Sequence, residues 1–332
     1  MSSTDPRQAA LQLATGYWSS RCLHVVAELG VADHIGAEPQ SVEALAKAVG
    51  AHPQALARVL RALAALGLFE EAGGGYRHTE ASRMLRSDHP QSLRAFVRMM
   101  GMPVHWQAYG ELEHSVRTGE SAMTRIAPGG TFQYFADHPA QARIFDDAMA
   151  AKSHEQIANV IGAYDFPRTA RIADIGGGRG HLLRAVLAAN PGTTGVLFDL
   201  PHVIVALASS PLADRLTLRS GSFFTDALPE CDVYLLMSVI HDWGDSEAMA
   251  ILNAVRRAAP AHARVLLLEM LLPEAPGPHP AKFLDIEMLV MTSGGRERTR
   301  SEYEQLLEAA GMHLARVIPT QTPTMVLEAV LS

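Results

Sequence analysis

The sequence predicts a doubly wound α/β domain that follows a helical region closed by a small β-hairpin. Three observations predict it. From residue 170 onward, strand-length apolar runs alternate with helix-length segments, the signature of a mostly parallel sheet with helices on both faces. One run leads into a glycine turn and a helix start, Arg171-Ile-Ala-Asp-Ile-Gly-Gly-Gly-Arg-Gly-His181. Before residue 100 the order is helix, turn, helix, hairpin, a winged-helix pattern. Two domains are therefore expected, residues 1–100 and 101–332.

In the first domain, Ser41 is a candidate N-cap for a helix through Val49. Pro53 suits the first position of the next helix. There Leu56, Val59, Leu60 and Leu63 fall at i, i+3, i+4, i+7 and make one apolar face. Two short β-like runs around Gly73-Gly-Gly75 read as the hairpin. Residues 101–165 read as helical, most regularly over Ile144–Ser153, where Met149 and Ser153 share a face.

The strand candidates are Arg171–Ile175, Thr194–Asp199, Leu216–Ser220, Asp232–Met237 and Arg264–Glu269. A helix is expected over Ser301–Ala310. After it, the runs Met312–Ile318 and Thr324–Leu331 lie too close for a crossover helix, so they should form an antiparallel pair at the sheet edge. Pro273–Pro280 is a loop.

Composition narrows the function. The net charge of −7 argues against nonspecific nucleic-acid binding. Residues 1–100 hold 10 Lys and Arg against 9 Asp and Glu, whereas a DNA-reading domain shows a basic face. The alternative reading, a winged-helix DNA-binding regulator with a sensor domain, has only Arg58 and Arg61 on its recognition helix to support it. Two cysteines, Cys22 and Cys231, make neither a metal motif nor a disulfide scaffold. No signal segment and no membrane-length apolar run is visible, so a cytoplasmic protein without a membrane partner is expected.

The glycine turn indicates a cofactor. Asp174, Gly176, Gly178 and Gly180 occupy alternate positions, and a second strand ends in Asp199. An acid there can hold the two hydroxyls of a ribose. The dinucleotide pattern Gly-x-Gly-x-x-Gly fails, because His181 stands where its last glycine belongs. Acid-x-Gly-x-Gly-x-Gly instead suits S-adenosylmethionine, with Asp174 toward the methionine end. In Ser220-Gly-Ser-Phe-Phe224, Phe223 can flank an adenine, and Trp243 can wall it.

His241, in Ser238-Val-Ile-His-Asp-Trp243, follows the fourth strand, at the end of the sheet where ligands bind. Glu269 ends the fifth strand, and Glu297 sits in a loop before the last helix. A histidine oriented by a carboxylate can take the proton of a phenol as it is methylated.

Together Asp174-x-Gly-Gly-Gly-x-Gly180, Phe198-Asp-Leu-Pro-His202, His241-Asp-Trp243 and Gly294-Gly-Arg-Glu-Arg-Thr299 resemble, in order and spacing, the small-molecule O-methyltransferases. That family includes caffeate-type, hydroxyindole and bacterial antibiotic-tailoring enzymes. The resemblance implies a class I methyltransferase domain with a seven-stranded sheet behind a winged-helix dimerisation domain, working as a homodimer. It implies metal-independent catalysis with His241 as base, flanked by Glu269 and Glu297, and S-adenosylhomocysteine as product. Met149, Ser153, Asp174, Gly176, Gly178, Asp199, Ser222, Phe223, Ser238 and Trp243 are the expected cofactor contacts. Ser222 stands where many relatives have an acid, and Ser238 where plant members have a lysine. Trp106, Phe132, Phe135, Met288, Met291 and Thr292 could line the pocket of a small hydroxylated aromatic, for example a polyketide-derived naphthoate.

Overall fold

A computed structural model describes residues 5–207 and 214–332. Residues 1–4, where no signal segment was read, lie outside the described residues. The chain forms two compact units. The first runs to Trp106 and takes in Ala140–Lys152; the second comprises Gln107–Pro139 and Ser153–Ser332.

In the first unit, helix Pro6–Leu29 is capped by Asp5 and ends at the left-handed Gly30. Helix Val42–Val49 starts at Ser41, whose hydroxyl accepts from the Ala44 amide. Helix Pro53–Ala65 turns Leu56, Leu60 and Leu63 into a core with Leu45 and Phe69, while Val59 is partly buried at its margin. The hairpin pairs β1 (Phe69–Ala72) with β2 (Gly75–His78). A further backbone bridge joins Tyr76 to Gln40. A Cβ at Gly75 would stand 2.3 Å from the Gln40 carbonyl oxygen, so the bridge requires glycine there.

The second unit holds a seven-stranded sheet of β3 (Arg171–Ile175), β4 (Thr194–Asp199), β5 (Leu216–Ser220), β6 (Val233–Met237), β7 (Arg264–Met270), β8 (Met312–Pro319) and β9 (Thr324–Leu331), in the order β5-β4-β3-β6-β7-β9-β8. The first five are parallel, and β9 pairs antiparallel with both β7 and β8. The expected antiparallel edge is present. Alternate strand residues enter two cores, one on each face. Ala173, Ile175, Tyr234, Leu236, Val265 and Leu267 belong to one; Ile172, Val233, Leu235, Leu266 and Leu268 belong to the other. A sheet buried on both faces needs such uninterrupted apolar strands.

The chain moves outward from β3 through β4 to β5, then returns to β6 on the other side of β3. That reversal leaves a crevice beyond the carboxyl ends of β3 and β6. The glycine turn and the His241 segment follow those two strands directly. Among the described residues no helix is long and apolar enough to cross a membrane.

Candidate active site

The glycine turn after β3 is held from the side by β4. The Gly176 amide donates to the Phe198 carbonyl over 2.8 Å. Asp199 Oδ2 accepts from the Gly178 amide and Oδ1 from the Leu200 amide, each at 2.7 Å. Gly176, Gly178 and Gly180 all have positive φ, which side chains resist. At Gly177 a Cβ would stand 2.4 Å from the Asp174 carboxyl carbon and 2.6 Å from Leu197. The turn is thus bare backbone over a buried carboxylate.

That carboxylate is unusual. Asp174 is 1% exposed, and neither oxygen has a hydrogen-bond partner. Burial, reinforced by the Asp199 charge, pushes its pKa up to about 7. An unpartnered acid beneath a side-chain-free turn fits a cofactor that brings a cation or N–H donors.

Beside the turn, Phe223 lies 3.7 Å from where a Gly176 Cβ would be. Phe223 and Phe224 both meet Trp243 edge to face, at 5.9 Å and 4.7 Å between ring centres. Phe132 stacks on the same indole at 5.7 Å. A residue expected at the cofactor, Trp243, and one expected at the acceptor, Phe132, are therefore in contact. Phe224 had not been singled out, although its pairing with Phe223 was visible. The Ser222 hydroxyl accepts from the Phe224 amide and shapes this turn.

After β6 the backbone reverses at Ser238, the one non-glycine residue with positive φ among those described (φ 52°). Its amide donates to the Leu268 carbonyl, 3.1 Å. The next two amides, of Val239 and Ile240, both donate to Glu269 Oε1, at 3.2 and 2.9 Å. Glu269 thereby holds the 3-10 turn Ile240–Asp242 that presents His241.

His241 is buried and its Nδ1 lies 2.7 Å from Glu297 Oε1. Glu269 Oε2 is farther from the same nitrogen, at 3.6 Å, and Asp242 Oδ1 is 3.6 Å from Nε2. Burial disfavours the charged ring, but the carboxylates of Glu269, Asp242 and Glu297 outweigh it and raise the pKa to about 9. Burial and the Glu297 charge push Glu269 up to about 7 against the pull of His241.

The Glu297 loop is pressed onto the His241 turn. The Arg296 amide donates to the His241 carbonyl, 2.8 Å, and Trp243 bridges Gly294. A Cβ at Gly295 would stand 2.7 Å from the Asp242 carbonyl, so glycine permits the approach. The Glu297 amide donates to Asp285 Oδ1, 2.9 Å, on helix Pro280–Met291. Asp285 on that helix and Arg298 beside Glu297 were missed by sequence reading; a charged residue on a helix or in a loop looks solvated until its partners are known.

Met288 and Met291 are buried on that helix, and Thr292 follows its end, the hydroxyl donating to the Met288 carbonyl at 2.7 Å. Phe135 is buried in helix Gly130–Asp137 of the second unit. Ser153 also lies in the second unit, partly buried. Met149 and Trp106 belong to the first unit, where Arg21 lies 4.6 Å over the Trp106 ring. Among the described residues no group of three or more His, Cys, Asp or Glu is arranged to hold a metal.

Family models for an O-methyltransferase domain and an O-methyltransferase dimerisation domain match residues 109–313 and 11–88. The chain belongs to the O-methyltransferase family. Among curated relatives it is 39% identical, over 96% of this chain and 94% of the relative, to phenazine O-methyltransferase PhzM of Lysobacter antibioticus. It is 37% identical, over 92% and 90%, to 8-amino-8-demethylriboflavin N,N-dimethyltransferase of Streptomyces davaonensis. Among solved structures, LaPhzM matches with a TM-score of 0.94 and 38% identity over 99% of this chain and 100% of that one. NcsB1 from neocarzinostatin biosynthesis, in complex with S-adenosylmethionine and 2-hydroxy-5-methyl naphthoic acid, matches with 0.83 and 31% over 100% of both. In this O-methyltransferase the doubly wound domain and the helical dimerisation domain are those expected of the family.

Proposed function

We propose that this O-methyltransferase transfers a methyl group from S-adenosylmethionine to a phenolic hydroxyl of a small planar aromatic, with His241 as general base. The observation that carries the reading is the 2.7 Å contact between His241 Nδ1 and Glu297 Oε1 in a buried segment beyond β6. S-adenosylmethionine, when bound, supplies a methyl group open to in-line attack.

The chain's residues do the rest. Gly176 and Gly178 offer open backbone, and Asp174 offers an acceptor for the methionine end. Asp199 faces the ribose while tying down the turn. Phe223 and Trp243 flank the adenine, with Ser222 and Ser238 setting the backbone that carries them. Met149 and Ser153 are proposed contacts to the methionine part.

Glu297 fixes the Nδ1–H tautomer of His241, so Nε2 takes the phenol proton, and Glu297 then stabilises the imidazolium. A base with a pKa of about 9 sits within roughly one unit of a simple phenol near 10. Proton transfer between them costs only about 1.4 kcal/mol per unit of mismatch. Glu269 holds the turn and adds its charge to the cluster.

Trp106, Phe132, Phe135, Met288, Met291 and Thr292 are the proposed acceptor wall. Flat aromatic rings and adaptable thioethers suit a polycyclic guest. The acceptor class is a hydroxylated polyketide-type aromatic in bacterial secondary metabolism, such as a naphthoate. The first unit is read as a homodimerisation element rather than a DNA reader: Arg77 pairs with Glu70, and Arg86 with Asp88. The N,N-dimethyltransferase relative favours one second reading, transfer to an arylamine. A neutral amine already offers its lone pair, so it leaves the His241–Glu297 pair with less to do. Assays with labelled S-adenosylmethionine against matched hydroxy- and amino-naphthoates and phenazines separate the two: label on the hydroxy series supports O-transfer, and label confined to the amino series refutes it.

A further inference from the structure

We infer that Arg298 is a positioning residue that fixes the His241 turn against Glu297. The inference rests on the reading of His241 as the base. Arg298 is fully buried, the largest such side chain among the described residues. Its guanidinium donates to the Ile240 carbonyl at 3.1 Å and the Trp243 carbonyl at 2.8 Å. These two carbonyls flank His241 in the chain. The same group donates to Asp245 Oδ1 from Nη2 at 2.7 Å and from Nε at 3.1 Å.

Asp245 opens helix Asp245–Ala258, so one planar fork ties the turn before that helix to its first residue. The main chain of Arg298 is tied elsewhere: its carbonyl accepts from the Leu272 amide, 2.9 Å, just past β7. Glu297 is its immediate neighbour. Its carboxylate therefore reaches His241 within a frame whose two sides are joined through residue 298. Burying a guanidinium is costly unless it is paired and its donors are used. Here Asp245 supplies the charge and accepts two bonds, and the two flanking carbonyls accept one each, so four of the five N–H donors are used. A lysine has one nitrogen and cannot span these acceptors in one plane.

A role confined to stability would lower folding and activity together. A positioning role should instead act on kcat and on the titration of His241. The test measures methyl transfer by Arg298→Lys and Arg298→Met from about pH 6 to about pH 10, with S-adenosylhomocysteine affinity by calorimetry and Tm on the same samples. The expected result is a kcat loss of about 10²-fold in the Met variant and a smaller loss in the Lys variant. Cofactor affinity and acceptor KM should change little, and the rising pH limb should shift to lower pH as Glu297 loses its fixed approach.

Wild-type kcat and pH profile in a folded Met variant would overturn the inference. A parallel loss of kcat, affinity and Tm with an unmoved pH limb would overturn it too. If Arg298→Met does not fold, Arg298→Lys and Asp245→Asn carry the same readouts with the same criteria. Full activity of His241→Gln defeats the base reading itself; an inactive His241→Gln beside a fully active Arg298→Met defeats only the role of Arg298.

Discussion

Oε1 of Glu297 lies 2.7 Å from Nδ1 of His241, whereas the nearer free oxygen of Glu269 stands 3.6 Å from the same atom. The two acids therefore differ in kind. Glu297 touches the imidazole, and Glu269 accepts from the Val239 and Ile240 amides of the turn that carries it. Glu297→Gln should keep cofactor affinity close to wild type but lower kcat by about 10²-fold or more. Glu269→Ala should lose stability as well as rate, because it strands two buried amides at roughly 1–3 kcal/mol each. Calorimetric melts beside steady-state assays check both.

The raised pKa of His241 sets opposite pH trends for activity and stability. The neutral ring is the base, so kcat/KM should climb toward a limb near 9, above the usual 6.5 of histidine. The sign for folding is the reverse. A histidine whose folded pKa is raised contributes stability that is complete below the unfolded value and lost as pH rises through the folded one. That contribution should fade between about 6.5 and about 9, and His241→Gln should flatten this part of the Tm profile.

Asp174 should move stability in the same direction over a lower pH range. Its folded pKa is raised from 3.8 to about 7, so the unliganded fold loses stability as pH rises between those values, and the full cost of the buried charge is present above about 7. Asp174→Asn should raise the Tm of the free protein there while weakening S-adenosylhomocysteine binding about tenfold or more, the scale of a lost charge-assisted hydrogen bond. Differential scanning fluorimetry with and without ligand reads both. A variant that binds S-adenosylhomocysteine as tightly as wild type would remove Asp174 from the cofactor site.

Phe132 stacks on Trp243 yet is 38% exposed. Phe132→Ala should raise acceptor KM and leave S-adenosylhomocysteine affinity unchanged. Trp243→Ala should weaken both, since its ring also meets Phe223 and Phe224. Isothermal titration with each ligand separates the outcomes.

Much of this was legible in the sequence because the physics is local or periodic. Strands buried on both faces need unbroken apolar runs, and Arg171–Ile175 and Thr194–Asp199 begin and end where those runs do. Ends without a strong breaker drifted by a residue: β6 begins at Val233 and β7 extends to Met270. The meeting of His241, Glu269 and Glu297 followed from their places after β6, at the end of β7 and before the last helix. Which acid contacts the ring did not, because that depends on ångström differences in loop approach set by Gly295 and Asp285. The positive φ of Ser238 and the buried fork of Arg298 were likewise invisible. Both depend on long-range hydrogen bonds, to Leu268 in one case and to Ile240 and Trp243 in the other.

The most direct measurement is turnover of His241→Gln with S-adenosylmethionine and an acceptor hydroxyl that the wild type methylates, alongside its affinity for S-adenosylhomocysteine. Loss of the base should lower kcat by about 10²- to 10⁴-fold, with affinity for the product retained. A folded variant that methylates the same hydroxyl at the wild-type rate would contradict the assignment of His241 as the base.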